Sequence, residues 1–171
     1  MKYLKIVAMF AIICTLSAVS VSAQKKGGKK GTKAVSTVAP LDVRAAREKV
    51  SIQLANVDGF VNKLGVVAQG LEVADRDAAA GNLRPATAAK IKAKKEEIVV
   101  AIRNIKAGLS VLESEFRTKP ALQKYLPTIE GITDLSANSE DLALAGKFVD
   151  AKAPLRDVAK KLTDTMASLP L

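Results

Sequence analysis

A chain of 171 residues that is 49% apolar and 26% charged has material for one packed domain with tails, and is not disordered throughout. Its net charge of +10 suits an anionic partner, yet it contains no His, and its single Cys, Cys14, lies in an N-terminal apolar run. With that run removed, the chain lacks the commonest general base, imidazole metal ligands, disulfides, thiolate nucleophiles, and Cys-held zinc, haem or iron–sulfur groups.

Residues 1–23 have the three parts of a signal peptide. Lys2 and Lys5 supply the positive start, Ile6 to Leu16 the apolar stretch, and Val21-Ser22-Ala23 the small residues of a cleavage site. Cleavage is expected after Ala23, with export to the periplasm or the exterior. Cys14 is not placed as a lipoprotein acceptor, because Ile13 precedes it where a small residue is needed. The alternative is an uncleaved membrane anchor. Lysines crowd behind the apolar run, and positive charge tends to stay cytoplasmic, but the run is short of the ~20 residues that span a bilayer.

Residues 24–39, QKKGGKKGTKAVSTVA, read as a disordered Lys/Gly-rich linker with too little apolar surface to offset its ordering entropy. Without Lys2 and Lys5 the balance is 25 basic to 17 acidic residues, and five of the surplus charges are Lys25, Lys26, Lys29, Lys30 and Lys33. These lysines are the candidates for binding an anionic surface, whether lipid head groups, envelope polysaccharide or an acidic protein; the alternative is a solubilising spacer with no specific partner. Nucleic acid is the weaker reading, since behind an export signal the rest of the chain shows no basic stripe and few base-stacking aromatics.

From Pro40 onward the apolar periodicity is helical, marking 40–171 as an all-α, up-down helical bundle of four segments. Val43, Val50, Val57, Leu64, Leu71 and Ala78 form one seam, and Ala46, Gln53, Phe60, Val67 and Ala74 a second, widened on one side by Leu54, Val61 and Ala68. This predicts a continuous, coiled-coil-like helix over about 41–80, running through Gly59, Gly65 and Gly70. Gly81-Asn82 stops it, and Pro85 suits the first turn of the next helix. That helix, 85–118, carries Ala88, Lys95, Ile102, Leu109 and Phe116 on one seam and Ile91, Ile98, Ile105 and Leu112 on the other. The short connection makes the pair a long antiparallel hairpin. Pro120 opens a third segment with Leu122, Leu126, Ile129, Ile132, Leu135, Leu142, Ala145 and Val149, broken near Pro127 and Gly131. The last helix begins near Pro154 and aligns Leu155, Val158, Leu162, Met166 and Leu169.

Two polar residues interrupt the seams, Gln53 and Lys95. Lys95 reads as a stem laid along the seam with its ammonium in water; the alternative is a pair with Asp75, since Lys95 lies roughly level with Leu71 to Asp75 in the hairpin. The acidic groups Glu72/Asp75/Asp77, Glu96/Glu97 and Glu113/Glu115 read as solvated faces with i,i+4 pairing, Arg44–Glu48 among them. A di-iron bundle would need Glu-x-x-His pairs, and neither a calcium loop nor a nucleophile motif is present. The expectation is therefore no enzyme, no cofactor and no metal. It is an exported interaction, scaffold or chaperone-like module with a protein partner or an anionic envelope component, and homo-oligomerisation left open. Carriage of a lipid or other apolar ligand within the bundle is the alternative.

Overall fold

The structure is a computed structural model and describes residues 39–171. The signal peptide assigned to 1–23 and the linker as far as residue 38 lie outside those residues. Ala39, assigned to the linker, is buried at the foot of the first helix. Helix α1 spans Leu41–Ala79 and α2 Pro85–Thr118. A 3-10 turn, Gln123–Tyr125, leads into the single turn α3, Leu126–Ile129. Then come α4, Ile132–Leu144, and α5, Lys152–Ser168. Among the described residues there is no strand, and no helix is long and apolar enough to cross a membrane.

The helix boundaries follow from local chemistry. Asp42 places negative charge in the first turn of α1, where the helix dipole favours it. Gly81 ends the helix with φ +73°, and the Gly81 and Asn82 N–H groups donate to the Ala78 and Asp77 carbonyls, closing a Schellman motif. Pro85 opens α2 at a position that needs no N–H. The same two-bond closure at Gly146 and Lys147 ends α4.

Each helix pairs antiparallel with its neighbours in the order α1, α2, α4, α5 and back to α1. The cross-helix bonds fix the directions. Lys49 pairs with Glu115 and Lys95 with Asp75 between α1 and α2. Thr133 donates to Glu113, and Arg103 to Glu140, between α2 and α4. Arg47 reaches the Met166 carbonyl between α1 and α5. The core holds Val50, Val57, Ile102, Leu109, Phe116, Leu155, Val158 and Leu162, all fully buried.

The first seam of α1 is buried from Val43 through Leu71, but the second is not followed to its end. Ala46 is buried; Val67 is 36% exposed, and Val61 and Ala68 take over the inner position. A heptad turns about 20° short of two full α-helical turns, so without compensating supercoil the inward direction passes from one flank of the main seam to the other. In α4 the inward residues are Ile132, as expected, then Ser136, Ser139 and Ala143, with Leu135 and Leu142 only half-buried beside them. Ser139 Oγ donates 2.8 Å to the Ala151 carbonyl and Ser136 Oγ 2.8 Å to that of Thr133, which makes their burial tolerable. Beyond Gly146 the helical register is lost. Phe148 enters the core fully buried, while Ala145 and Val149, expected inside, are exposed.

Candidate functional site

At about 1.5 Å per residue α1 and α2 are roughly 58 and 51 Å long, whereas α4 and α5 reach only roughly 20 and 26 Å. The long hairpin therefore outruns the helices that cover it. The last buried residue of α1 is Leu71 and the first of α2 is Ile98; none between them is buried. Residues 72–97 form a projecting two-helix arm whose end, Ala78 to Ala89, carries one charge, Arg84.

The base of the arm is fastened by polar contacts. The Lys95 ammonium, expected in water, instead lies 2.8 Å from Asp75 Oδ1 with its side chain only 27% exposed, because the hairpin register sets that carboxylate level with it. Glu72 accepts the Val149 N–H at 2.7 Å, tying the loop between α4 and α5 to α1. Gln53, the other polar seam residue, lies against Gly108 of α2, where an added Cβ would sit 2.8 Å from its amide nitrogen. Gly108 is thus the small residue that admits a glutamine to the α1–α2 contact. Arg44 and Glu48 are not among the ion pairs of the described residues; Arg117–Glu113, Lys119–Glu115 and Lys160–Asp164 are the i,i+4 pairs there.

Beside the arm's base, where α4 stops, a surface groove of about 480 Å³ opens between α2 and the end of α4. Val99 and Ala143 line its floor, while Val100 and Leu144 stand 51% and 58% exposed on its walls. Lys92, Lys95 and Arg103 supply positive charge to the rim and Glu96 the opposing carboxylate. Arg103 and Lys106 share one acceptor, Glu140, and hold its carboxyl below the usual carboxylate range.

Two carboxylates are buried: Glu113, expected on a solvated face, and Glu140, which the sequence did not single out. Glu113 is enclosed by the start of α4. It accepts hydrogen bonds from the Gly131 N–H at 3.0 Å, the Thr133 N–H at 3.1 Å, the Thr133 hydroxyl at 2.7 Å and Arg117 at 2.7 Å. Burial alone would raise its pKa, but the bonds from Arg117, Gly131 and Thr133 outweigh burial and bring it down to about 2. This carboxylate caps α4 from another helix, next to the positive end of its dipole. Arg47 does the converse for α5, donating to the carbonyls of Met166 at 2.7 Å and Leu169 at 2.5 Å. Both are fastenings of the bundle. Their signal in the sequence was a charge beside a seam, which cannot be told from a solvated one before the facing helix is placed.

Lys25, Lys26, Lys29, Lys30 and Lys33 lie outside the described residues. Among the described residues no cluster of acidic side chains is arranged to hold a metal ion. No protein family, curated protein or solved structure matches the chain.

Proposed function

We propose that this protein is an exported, non-enzymatic interaction module. Its projecting hairpin arm and the groove at the arm's base meet a protein partner, and its lysine tail holds it near an anionic envelope surface. The observation that carries this reading is the arm itself. Twenty-six consecutive residues, 72–97, carry the two longest helices onward with no buried side chain among them. Turns with no buried side chain contribute little to a bundle's stability, so the arm is better explained by what it presents. Carriage of an apolar ligand inside the bundle has less behind it, because the axis is filled by fully buried Val50, Val57, Ile102, Leu109 and Leu162.

Two deletions separate the parts. Deleting residues 77–90 and closing the two helices with a short Asn-Gly turn removes the outer arm, keeps Asp75, Lys92 and Lys95, and should leave the bundle folded. Cross-linking in the native cells should then lose its specific adducts while the melting temperature stays within a few degrees. Unchanged adducts would sink the arm reading. Deleting residues 24–33 should abolish salt-sensitive adsorption to anionic vesicles or polysaccharide, and adsorption that survives the deletion counts against the tail.

A further inference from the structure

Four of the seven basic residues of α2 form two pairs of the same spacing. Arg103 and Lys106, three residues apart, receive Glu140 of α4. Eleven residues earlier Lys92 and Lys95 recur at the same spacing. Eleven residues are three helical turns, so the second pair falls on nearly the same face, about 17 Å along the axis. The helix that satisfies the first pair is itself acidic: α4 carries Asp134, Glu140 and Asp141 and no Lys or Arg. It stops at Leu144, and the groove begins there, its wall made by Leu144 and its floor by Val99 and Ala143. The α2–α4 interface thus continues past the end of α4 with apolar floor and cations in place but no helix over it. Among the described residues no carboxylate pairs with Lys92, whereas Lys95 is already met by Asp75.

We propose that this groove receives a short acidic amphipathic helix from a partner protein, gripped as α2 grips α4. The proposal rests on the interaction-module reading above and names the chemistry of the partner. Apolar residues at i, i+3 and i+4 would cover Val99, Val100 and Leu144, and an Asp or Glu would reach Lys92. Glu96 requires that carboxylate to approach on the Lys92 side.

The test is titration of the isotopically labelled full chain with a capped synthetic peptide of sequence Ile132–Leu144, the protein's own example of such a helix. Saturable NMR shifts should centre on Lys92, Val99, Val100 and Leu144. Lys92→Glu and Val100→Asp, both at exposed positions, should each weaken binding by about tenfold. A peptide with its three acids changed to Asn and Gln should fail to bind, and salt should weaken the native one. Binding that ignores both substitutions, shifts centred elsewhere, or no saturable binding overturns the proposal. So does perturbation of the groove by phosphatidylglycerol vesicles with none by peptide, which would assign it to a lipid surface. If the peptide fails while the arm deletion still removes native adducts, this inference falls and the interaction-module reading stands; if the adducts also persist, both fall.

Discussion

Replacing Glu113 by Gln removes one charge and leaves the volume almost unchanged, so it isolates what a buried carboxylate does at the start of α4. A pKa brought from the ordinary 4.5 down to about 2 corresponds to about 3 kcal/mol of native-state preference for the ionised form. The glutamine keeps one oxygen but turns an N–H₂ toward donors, so the Gly131 or Thr133 N–H loses its acceptor. In a domain of this size a loss of about 3 kcal/mol lowers the melting temperature by roughly 10 °C. Because the folded-state pKa is depressed, the stabilisation is complete above the unfolded pKa near 4.5 and is lost as pH falls toward 2. Urea unfolding of wild type and Glu113→Gln should therefore differ by about 3 kcal/mol at pH 7 and converge near pH 2. Other carboxylates with lowered pKa values, Glu115 and Glu140, titrate in both proteins and cancel in the difference. A gap below about 0.5 kcal/mol at pH 7, or one that stays the same at pH 2, refutes the reasoning.

Arg47→Ala should cost about 1–2 kcal/mol in urea unfolding, since it strips the charged donor from the last carbonyls of α5. Gly59→Ala and Gly65→Ala should each raise stability by up to about 1 kcal/mol, because a Cβ at either position meets nothing and the helix gains propensity. Gly108→Ala should show almost no net change in thermal melting, as the added Cβ must push the Gln53 amide aside. In a Gln53→Ala background the same substitution should recover a gain of about 1 kcal/mol, and additive effects of the two changes would contradict the close contact.

Much of the fold was legible because α1 and α2 carry their own punctuation. Leu41–Ala79 and Pro85–Thr118 fall within a residue of the ranges read from the seams, since Gly81 and Pro85 act locally. The second half was less legible because its inward positions are set by contacts remote in sequence. Ser136 and Ser139 look like surface residues until the carbonyls of Thr133 and Ala151 accept their hydroxyls. Phe148 follows a left-handed glycine, after which no helical period predicts direction. Of the site, the hairpin register names Asp75 as the carboxylate level with Lys95, but not that the ammonium turns to it rather than to water. The groove could not be foreseen, because it exists only where α4 ends against a helix that continues, so its walls come from Val100 and from Leu144, remote in sequence.

The uneven helix lengths carry a dynamic consequence. In the bundle each turn is held by burial against two neighbours, but past Leu71 in α1 and before Ile98 in α2 no side chain is buried, and outside the base, where Glu72 and Asp75 meet the loop after α4, each helix has mainly the other. Two short helical stretches of that kind are marginal by themselves in water. What keeps the arm helical is continuity with the anchored portions below, with Lys95–Asp75 and the Glu72–Val149 bond as clamps at the base. Opening should therefore start at the Gly81 end and run toward the clamps without disturbing the core. Native-state hydrogen exchange should show amides from 76 to 94 exchanging through openings insensitive to low urea, while Ile102, Leu109 and Phe116 exchange only with global unfolding. Lys95→Ala should extend the fast-exchanging region downward and leave core exchange unchanged. Uniform protection along α1 and α2 would mean that the arm is held by contacts other than those described, and that its freedom to adapt to a partner is correspondingly less.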